Sequence, residues 1–591
     1  MRSPFRSSFL VAGLVLAGCS SGSGGGEAEV TLLLTDAASD ELAVFEVDVT
    51  GVELRRADGS AVATLDQPVR VDFAQLAELS ELITGRVIPA GFYSGATLTL
   101  DFANAVVYLQ GQTTNASVVD AAGAPLTGTV DVAVTFATGS RPHLVARRNH
   151  LWTLDLDLNQ SLAVDAGANR VTFTPAVTAV VDPTHPKPVR AQGALGTVDL
   201  DGRTFLVQTL TRDGTVLAPY TVRTTTTTLF QIDGVVSFGD AGLGALALRA
   251  GAAPRVFVQG TVEQSSRVLV AAAVETGAGV PGNGQDWILG HIVARDGAAG
   301  GDATLTVVGQ SFDTGTGTRR FHTGHAVQVS RADTKVLQRG FGSLHGTDDL
   351  NVGQRVMVFG DLAGTTMDAT AQHEGVVRML PTAVFGFVTD VSGTTTLVLE
   401  VTRFDQHPVA EFDFTVGGVA EADPDAYRVD VTEIDLEGIE VGARVRAVGF
   451  VKPVGVPLDD DFRALTVVDH ANSASVLVCQ WSPDVAVVPT AGGSAVAFDV
   501  SQASVKAVAD GFMTRVLQNE PTPVLTPLGN RGAYSIVSGS SAEVHAFFTT
   551  FSAALLARTG AGARMVRIAA VGTFDPELQE LAAAAASVVL Q

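Results

Sequence analysis

The chain has 591 residues and a formal net charge of −24, with 46% hydrophobic but only 17% charged residues. This composition excludes an intrinsically disordered chain, which combines low hydrophobicity with high charge, and the length predicts roughly three to six domains. It also excludes nucleic acid as a partner, because phosphate binding needs clustered cations, whereas Lys is rare here and the Arg residues are scattered along the sequence. The acidity is expected to serve solubility, with weak association of divalent cations as an alternative.

The amino terminus has the features of a bacterial export signal, expected over residues 1–18. Arg2 and Arg6 precede an apolar stretch, residues 9–16, that is too short to span a bilayer. The stretch runs into Leu-Ala-Gly-Cys at residues 16–19, which resembles the lipobox of bacterial lipoproteins. This resemblance implies cleavage before Cys19, a diacylglycerol thioether on its sulfur and an acyl chain such as palmitate on its amine. Removal of both arginines would change the net charge from −24 to −26.

Residues 19–26 are predicted to be the lipidated cysteine and a Gly/Ser-rich tether, a flexible coil with a reach of roughly 15 Å. Several acyl chains, at about 0.8 kcal/mol per buried methylene, would hold the protein durably on a membrane. By resemblance to Gram-negative lipoproteins, Ser20 instead of Asp after the cysteine implies sorting to the outer membrane. We therefore expect a protein of the cell envelope whose membrane contact is the lipid on Cys19.

Strand patterns dominate the rest of the chain. Residues 30–34, 97–102 and 397–401 are β-branched or alternating and are bounded by Gly, Asp, Asn or Pro. They predict an all-β fold: an amino-terminal β-sandwich at residues 27–185, followed by about four repeated small β-barrel or sandwich modules. We number these modules 1 to 4 and expect them at residues 190–280, 285–380, 381–470 and 471–591.

Three stretches of the first domain carry a further resemblance. They are Leu-Leu-Leu-Thr-Asp-Ala-Ala at 32–38 with the alternating 44–54, Ile-Pro-Ala-Gly-Phe-Tyr at 88–93, and Leu-Asp-Leu-Asp-Leu at 154–158 with 171–177. They resemble a family of uncharacterised amino-terminal domains of bacterial lipoproteins, in which Pro usually stands where this chain has Ala38. The resemblance implies a β-sandwich on the cell envelope and assigns no catalytic residue. From the residues themselves, Pro89 and Gly91 predict a turn before an alternating strand.

The region after a Pro-rich joint at residues 183–188 is periodic. Four strand-like segments end in glycine: residues 255–260, 355–360 and 444–449, which each begin with Arg-Val, and residues 566–572. Three openings match them, with Gly196, Gly290 and Gly386 spaced 94 and 96 residues apart. Glycine inside a strand marks a bulge or a tight bend, as at the corner of a small barrel. The modules resemble small OB-like repeats of other bacterial envelope proteins of unknown role, and module 4 is the divergent one.

The last segment, residues 581–590, is rich in alanine, which is the best helix former. Its place after a glycine-ended strand matches residues 268–274 and 462–468, which are expected to close the earlier modules. We therefore predict a strand here, because tertiary pairing overrides intrinsic propensity.

Motifs of common enzymes lead to no assignment. Gly-x-Ser-x-Gly occurs at residues 18–22, across the predicted cleavage site. Gly-x-Gly-x-x-Gly occurs at residues 277–282, but a proline lies inside it and a strand follows where a dinucleotide site needs a helix, so we interpret it as a linker. We predict no catalytic residue, no cofactor and no enzyme activity. Paired carboxylates from distant strands remain open as a basis for glycoside hydrolysis.

Histidines supply the first candidate metal ligands. His322 and His325 are close in sequence, and His345, Asp348 and Asp349 follow. We interpret this group as a polar hairpin, because side chains on a strand or turn need not converge on one ion.

Acidic residues supply two further candidates. Alternate positions of one predicted strand are polar, and we expect them to form its solvated face: Thr153, Asp155, Asp157 and Asn159. The Asp-Asp-Asp run at residues 459–461 is expected in a solvated loop, the best place to look for a weakly bound cation. We assign no metal site to either group.

Cysteine and aromatic residues point to buried cores. Cys479, the only cysteine besides Cys19, is predicted to be a small buried hydrophobe without a disulfide partner. Three Trp and five Tyr against 29 Phe indicate that most aromatic area lies in cores. This lowers, without removing, the case for sugar stacking on exposed rings.

The leading hypothesis is therefore a non-enzymatic scaffold or interaction protein, a rod of β-modules that projects from the membrane and contacts other envelope proteins. A glycan- or divalent-cation-binding surface protein is the second hypothesis, and a hydrolase with a dispersed site is the third.

Overall fold

The described part of the chain is built almost entirely of β-strands, as predicted. The structure is a computed structural model and describes residues 26–591 except 37–41, 66, 77–79, 121–122, 137–140, 157, 176, 183–186, 211–215, 264–267, 344, 371–373, 392–394, 433, 435, 437, 456–459, 471–474, 511–513 and 540. Within these residues no helix is long and apolar enough to cross a bilayer. The predicted signal peptide, Cys19 and most of the tether lie outside the described residues.

The first domain contains strands and one short helix. In chain order these are β1 (Glu27–Thr35), β2 (Leu42–Arg56), β3 (Ala61–Ala63), β4 (Val69–Asp72), β5 (Ser80–Pro89), β6 (Gly91–Leu109), β7 (Ser117–Val119), β8 (Thr129–Phe136), β9 (His143–Leu144), β10 (Asn149–Leu156), α1 (Leu158–Ser161), β11 (Leu162–Asp165), β12 (Arg170–Phe173) and β13 (Val177–Val181).

Two sheets of this domain face each other across one core. The first has the order β13-β10-β1-β5, and the second joins β2 to β3, β4 and β6, and β6 to β8. Leu32, Val47 and Leu98 alternate inward from the two sheets and are buried in the same cluster, as the period of two requires. The predicted turn lies between β5 and β6, where Gly91 has φ +137, a backbone conformation that favours glycine.

Modules 1 to 3 each supply the strands of a small barrel. Module 1 contains β14 (Val189–Asp199), β15 (Thr204–Leu210), β16 (Val216–Arg223), β17 (Leu229–Ile232), β18 (Val235–Phe238), α2 (Gly239–Ala247), β19 (Arg255–Glu263) and β20 (Val268–Thr276). Module 2 contains β21 (Asp286–Asp296), β22 (Ala303–Asp313), β23 (Thr318–Val329), β24 (Lys335–Gln338), β25 (Arg355–Ala363), β26 (Thr366–Asp368) and β27 (Val376–Leu380). Module 3 contains β28 (Thr382–Asp390), β29 (Thr396–Phe404), β30 (His407–Pro408), β31 (Thr415–Val416), β32 (Val419–Ala420), β33 (Tyr427–Asp430), β34 (Arg444–Val451) and β35 (Phe462–Asp469).

One pairing order recurs in these three modules. Module 1 closes as β14-β15-β16-β20-β19 and back to β14, module 2 as β21-β22-β23-β26-β25, and module 3 as β28-β29-β33-β35-β34. The third and last strands in sequence pair in parallel in each barrel, and all the other pairs are antiparallel. This is a five-stranded closed barrel of the small OB-like kind.

The glycines of the four repeated segments lie inside β19, β25, β34 and β44, where each strand approaches its neighbour closely. The register shifts by one residue at Gly260, Gly449 and Gly572, and at Gly360 strand β25 changes partner from β27 to β26. A Cβ at any of the four would lie under 3.0 Å from a carbonyl oxygen of the adjacent strand. The repeated glycine is therefore a steric requirement of the bulge.

Module 4 keeps part of this plan. It contains β36 (Ser475–Gln480), β37 (Thr490–Gly492), β38 (Ala495–Ala497), β39 (Val505–Ala509), β40 (Thr514–Val516), β41 (Val524–Pro527), β42 (Ala533–Ser538), β43 (Ser541–His545), α3 (Phe548–Gly560), β44 (Met565–Asp575) and β45 (Glu580–Leu590). Strand β36 pairs with β39 and β44, and β44 pairs with β45. The alanine-rich segment is thus a strand, as predicted: β45 is held between β44 on one side and β41 and β42 on the other.

Cys479 lies on β36 with no exposed surface and packs in the core of module 4. Burial raises the pKa of its thiol to about 12, because a thiolate is poorly solvated there. We expect a soluble form that begins at residue 26, in which Cys479 is the only thiol, not to react with a thiol reagent at pH 8 until it is unfolded in guanidinium. Reaction of the native protein at the rate of a free thiol would contradict this placement.

Candidate functional site

The first domain pairs edge to edge with both ends of the repeat region. Strand β5 runs parallel to β14 of module 1, with Glu81 opposite Arg190, and Nε of Arg190 lies 2.6 Å from Oε2 of Glu81. Strand β8 runs parallel to β43 of module 4, and Oγ1 of Thr135 donates to the carbonyl oxygen of Ala542 at 3.0 Å. Modules 1 and 4, the two ends of the series, are therefore both attached to the first domain.

Modules 1 and 2 meet at a buried polar contact. Nε of Arg378 donates to Oε1 of Gln231 at 3.2 Å, and Nη1 of Arg378 lies 3.4 Å from Oε2 of Glu275. Nη1 of Arg378 also donates to the carbonyl oxygen of Gly279, within the Gly-x-Gly-x-x-Gly segment. That segment is a set of turns followed by β21, so it is the linker that the sequence predicted and part of the contact between modules.

The remaining contacts complete a closed arrangement. Nε2 of His291 lies 2.7 Å from Oδ2 of Asp405 between modules 2 and 3. Nδ1 of His470 bonds to the carbonyl oxygen of Asp510 at 2.7 Å between modules 3 and 4, and Asp510 also pairs with Arg444. The five domains therefore form a closed circuit. The rod expected from the serial repeats is wrong, because the first domain joins the two ends.

A central cavity of about 1550 Å³ lies inside this circuit, and all five domains contribute to its lining. The lining side chains come from the first domain and from outward-facing positions of barrel strands, the first and fourth strands of each barrel among them. In β21, for example, Trp287 and Leu289 face the cavity, while Ile288 and Ile292 are buried inside barrel 2. The volume exceeds the roughly 300–1,000 Å³ of pockets for drug-sized ligands. Trp287 is the one cavity-lining Trp of the described residues, and both other Trp residues are core.

Arginine is concentrated in this cavity. Among the described residues eight arginines and five carboxylates line it, an excess of positive charge inside a chain whose net charge is −24. The arginines that are scattered along the sequence are thus gathered by the fold. Four of them form ion pairs with cavity carboxylates: Arg70 and Arg319 with Glu46, Arg190 with Glu81, and Arg339 with Glu275.

Two cavity arginines have no carboxylate partner within the described part of the chain. Nη2 of Arg255 donates to Oε1 of Gln192 at 2.8 Å, and its Nε is buried without a hydrogen-bond partner. Burial lowers the pKa of Arg255, although an arginine remains charged at neutral pH. The guanidinium of Arg355 makes neither a hydrogen bond nor an ion pair with any described residue. In Arg255 a buried donor atom of a charged group thus lacks a hydrogen bond, which is costly and calls for an explanation.

A carboxylate pair from the first domain also borders the cavity. Glu46 of β2 and Asp72 of β4 are cross-strand neighbours. Burial raises the pKa of Asp72 to about 6, whereas Arg319 and Arg70 overcome the effect of burial and lower the pKa of Glu46. Both oxygens of Asp72 accept hydrogen bonds, from the backbone N–H of Phe45 at 3.0 Å and from Nε2 of Gln75 at 2.9 Å.

Three histidines lie together on the cavity wall between modules 2 and 3. The ring centroids of His291 and His407 are 4.8 Å apart, and the ring of His322 stacks on His407 at 6.0 Å. Two of the rings are already engaged by acids: His291 by Asp405, and His407 through Nδ1, 2.9 Å from Oε2 of Glu411. The described residues contain no group of three or more His, Cys, Asp or Glu arranged to hold a metal ion.

The predicted histidine group does not converge. His322 and His325 are on β23 of the β22–β23 hairpin, but His322 faces the cavity and His325 points into the core of barrel 2. Residues three apart on a strand lie on opposite faces, so the two histidines do not converge on one ion, as the hairpin interpretation expected. His345 instead bonds Asp349 through Nδ1, 3.1 Å from Oδ1.

The two acidic candidates have structural roles where they are described. Strand β10 ends at Leu156 and Asn159 lies in α1, so the predicted four-residue polar face is interrupted; Asp157 lies outside the described residues. Asp155 is half-buried and its Oδ1 is buried without a hydrogen-bond partner, so its pKa is raised and it is not a fully solvated side chain. In the Asp run, Oδ1 of Asp460 accepts from Thr396 at 2.9 Å and Oδ2 of Asp461 from the backbone of Arg428 at 2.8 Å. Asp459 lies outside the described residues.

Sequence reasoning missed the cavity and its arginines, although one signal was present. An arginine stands five residues before the closing glycine in every module: Arg255, Arg355, Arg444 and Arg567. The first three open the Arg-Val segments by which the repeat is visible. That these positions face one another across a cavity depends on how the modules are arranged, which the repeat itself does not encode.

The fold and the cavity can be compared with known proteins. The profile of the family described as "Domain of unknown function (DUF4382)" matches residues 27–175. A search of curated proteins gave no match. Among solved structures, MbnP from Methylosinus trichosporium aligns with 13% identity over 28% of this chain and 75% of that chain, at a TM-score of 0.10, which is too low to indicate a shared fold. The amino-terminal β-sandwich, residues 27–175, is thus the part of the chain that is similar to the DUF4382 family, whose function is unknown.

Proposed function

We propose that this chain is a lipid-anchored, non-enzymatic protein of the cell envelope, on the outer membrane where the cell has one, and that it interacts with its ligand through the central cavity. The observation that carries the proposal is a cavity of about 1550 Å³ to which every domain contributes. Large concave sites at domain interfaces are the usual place for ligands. Repeats that served only as a linear spacer would not need to form a closed arrangement around a cavity.

A binding role without chemistry is supported by the state of the polar groups in the cavity. Glu46 and Glu275 are paired with arginines, which lower the pKa of each carboxyl although burial raises it. General acid catalysis needs the opposite, a carboxyl group held near neutral pKa beside the substrate.

The proposal is tested with the soluble form that begins at residue 26, which keeps every described residue. We expect a ligand on a glycan array to bind it and to bind the Trp287→Ala variant at least several-fold more weakly. Ca²⁺ is titrated in a calorimeter as the alternative ligand. Leu578→Ala, an exposed apolar side chain outside the cavity, is the matched control and should bind like the parent. A flat response to the array and to Ca²⁺, or equal binding by all three proteins, would remove the support for a ligand cavity.

Attachment to the membrane is tested at Cys19. We expect Cys19→Ala to abolish labelling by a palmitate analogue and to move the protein from the membrane fraction to the soluble fraction, because the acyl chains supply the attachment. Ser20→Ala should leave both unchanged. Membrane association of Cys19→Ala in detergent partitioning would show that the lipid is not the anchor.

A second candidate, hydrolysis of the bound ligand, is favoured by Asp72 and Glu46. Their pKa values are shifted in opposite directions, the arrangement by which two carboxyl groups divide acid and base roles. Both oxygens of Asp72 are, however, occupied within the first domain. Release of reducing ends from an oligosaccharide, lost in Asp72→Asn, would establish this candidate; no release by the parent protein would dismiss it.

A further inference from the structure

The repeat places an arginine at one equivalent position of all four modules. Arg255, Arg355, Arg444 and Arg567 each precede the closing glycine of their module by five residues. The next residue in each case is directed into a barrel or module core: Val256, Val356, Val445 and Ile568 are all without exposed surface. Because side chains of a strand alternate, the four arginines lie on the outer face.

Closure of the domains turns that outer face toward the centre. Arg255, Arg355 and Arg567 line the cavity. In module 3 Arg444 instead pairs with Asp510 of module 4, and Arg446, the next outward position of the same strand, lines the cavity in its place. Each of the four modules therefore contributes one arginine from its fourth strand. We refer to Arg255, Arg355, Arg446 and Arg567 as the arginine ring.

Three of the four ring arginines have an aromatic side chain on the same strand or on the strand paired with it. Phe257 follows Arg255 two residues along β19, and the guanidinium carbon of Arg255 lies 5.4 Å from its ring centroid. The guanidinium carbon of Arg446 lies 5.7 Å from the ring centroid of Phe385. Trp287 lies on β21, the strand that pairs with β25 of Arg355. Flat apolar surfaces thus alternate with cations around the cavity.

These features identify the chemistry of the ligand. Guanidinium groups bind carboxylates and phosphates in planar, bidentate geometry, and aromatic faces stack on rings. The incomplete partnering of Arg255 and Arg355 leaves donors for an anion from outside the chain. We propose that the cavity binds an acidic oligosaccharide, with its anionic groups on the arginine ring and its sugar rings on the aromatic side chains. This inference rests on the proposed function, that the cavity holds a ligand.

A nucleic acid shares the anionic groups and the stacking rings, but the observations favour the oligosaccharide. A long polyanion would have to approach a chain with a net charge of −24, which repels it at a distance. A short acidic oligosaccharide carries few charges and fits within the cavity, where the local charge is positive.

The test uses the soluble form that begins at residue 26 and isothermal titration with four probes: hexagalacturonate, the neutral maltohexaose, inorganic pyrophosphate and the oligonucleotide dT6. We expect hexagalacturonate to bind, its affinity to fall as salt rises, and maltohexaose to bind at least tenfold more weakly. Arg355→Gln and Arg255→Gln should each weaken binding of hexagalacturonate about tenfold or more. Arg564→Gln, which removes an exposed arginine three residues from Arg567, should leave the affinity for hexagalacturonate unchanged.

Thermal unfolding distinguishes a lost contact from a lost fold. Because the guanidinium of Arg355 makes no hydrogen bond or ion pair with a described residue, Arg355→Gln should unfold at the temperature of the parent. Absence of hexagalacturonate binding, or equal binding by parent and both ring variants, would overturn the inference. Binding of pyrophosphate or dT6 in its place would overturn the oligosaccharide class. Binding of a neutral glycan that Trp287→Ala abolishes would leave the proposed function standing while this inference fell.

Discussion

Gly449→Ala and Gly572→Ala are each expected to lower the free energy of unfolding of their module by about 3 kcal/mol or more. A Cβ at Gly449 would overlap the carbonyl oxygen of Arg463, and one at Gly572 that of Ala582. Both atoms belong to backbone that is paired in the sheet, so neither can move without breaking ladder hydrogen bonds. The expected cost is that of an opened strand pair, because no side-chain rotation relieves the clash.

Gly324→Ala is the matched control. Gly324 also lies within a strand, β23, but nothing stands within 4 Å of the position of its Cβ and its φ is not in the left-handed region. Alanine there should be neutral or should stabilise by a few tenths of a kcal/mol, because it restricts the unfolded chain. Calorimetry resolves the unfolding transitions of separate modules and measures how far each variant shifts the transition temperature from that of the parent protein. Equal transition temperatures for Gly449→Ala and Gly324→Ala would show that the bulge tolerates a side chain.

The free energy of unfolding is expected to fall by on the order of 3 kcal/mol between pH 6.5 and pH 4 through His325 alone. This side chain has no exposed surface and points into barrel 2. Burial, aided by the nearby charge of Arg320, lowers its pKa to about 4. The unfolded chain takes up a proton near pH 6.5 and the folded chain does so only near pH 4. Stability is therefore complete above pH 6.5, falls as the pH drops through this window, and levels off below it.

His325→Leu removes this titration while keeping the volume. Burial also lowers the pKa values of His291, His470 and His545, so the parent protein and the variant will both lose stability in acid. The prediction concerns the difference between their curves, measured by urea unfolding at each pH. The parent should lose more stability than the variant between pH 6.5 and pH 4. Parallel curves would mean that His325 is not held neutral in the fold.

Much of the fold could be predicted from local patterns. The strand at residues 581–590 is an instructive case, because propensity alone favours a helix while the repeat places a strand there. Strand β45 forms since its backbone has partners on both sides, and Leu581 and Ala583 alternate into the core of module 4. The repeat was informative because it reports on tertiary pairing, which residue preferences do not.

The candidate site was less predictable. His322 and His325 are three residues apart on β23, so strand alternation places one in the cavity and the other in a barrel core. Asp155 was assigned to a solvated face, but the sheet arrangement half-buries it. The error at Asp155 concerns which side of a strand faces water. Alternation predicts two faces and does not say which of them another domain will cover.

Local chemistry was sufficient to predict the all-β class, the repeat and the bulges at its glycines, whereas the export signal with Cys19 as the lipid site stays a prediction. Each of these depends on neighbours in sequence or on a period of two. The closed circuit of domains depends on strand edges that meet more than 100 residues apart in sequence, β5 with β14 and β8 with β43. Because only that closure turns the outer faces of the barrels inward, the cavity and its arginine ring belong to the tertiary structure.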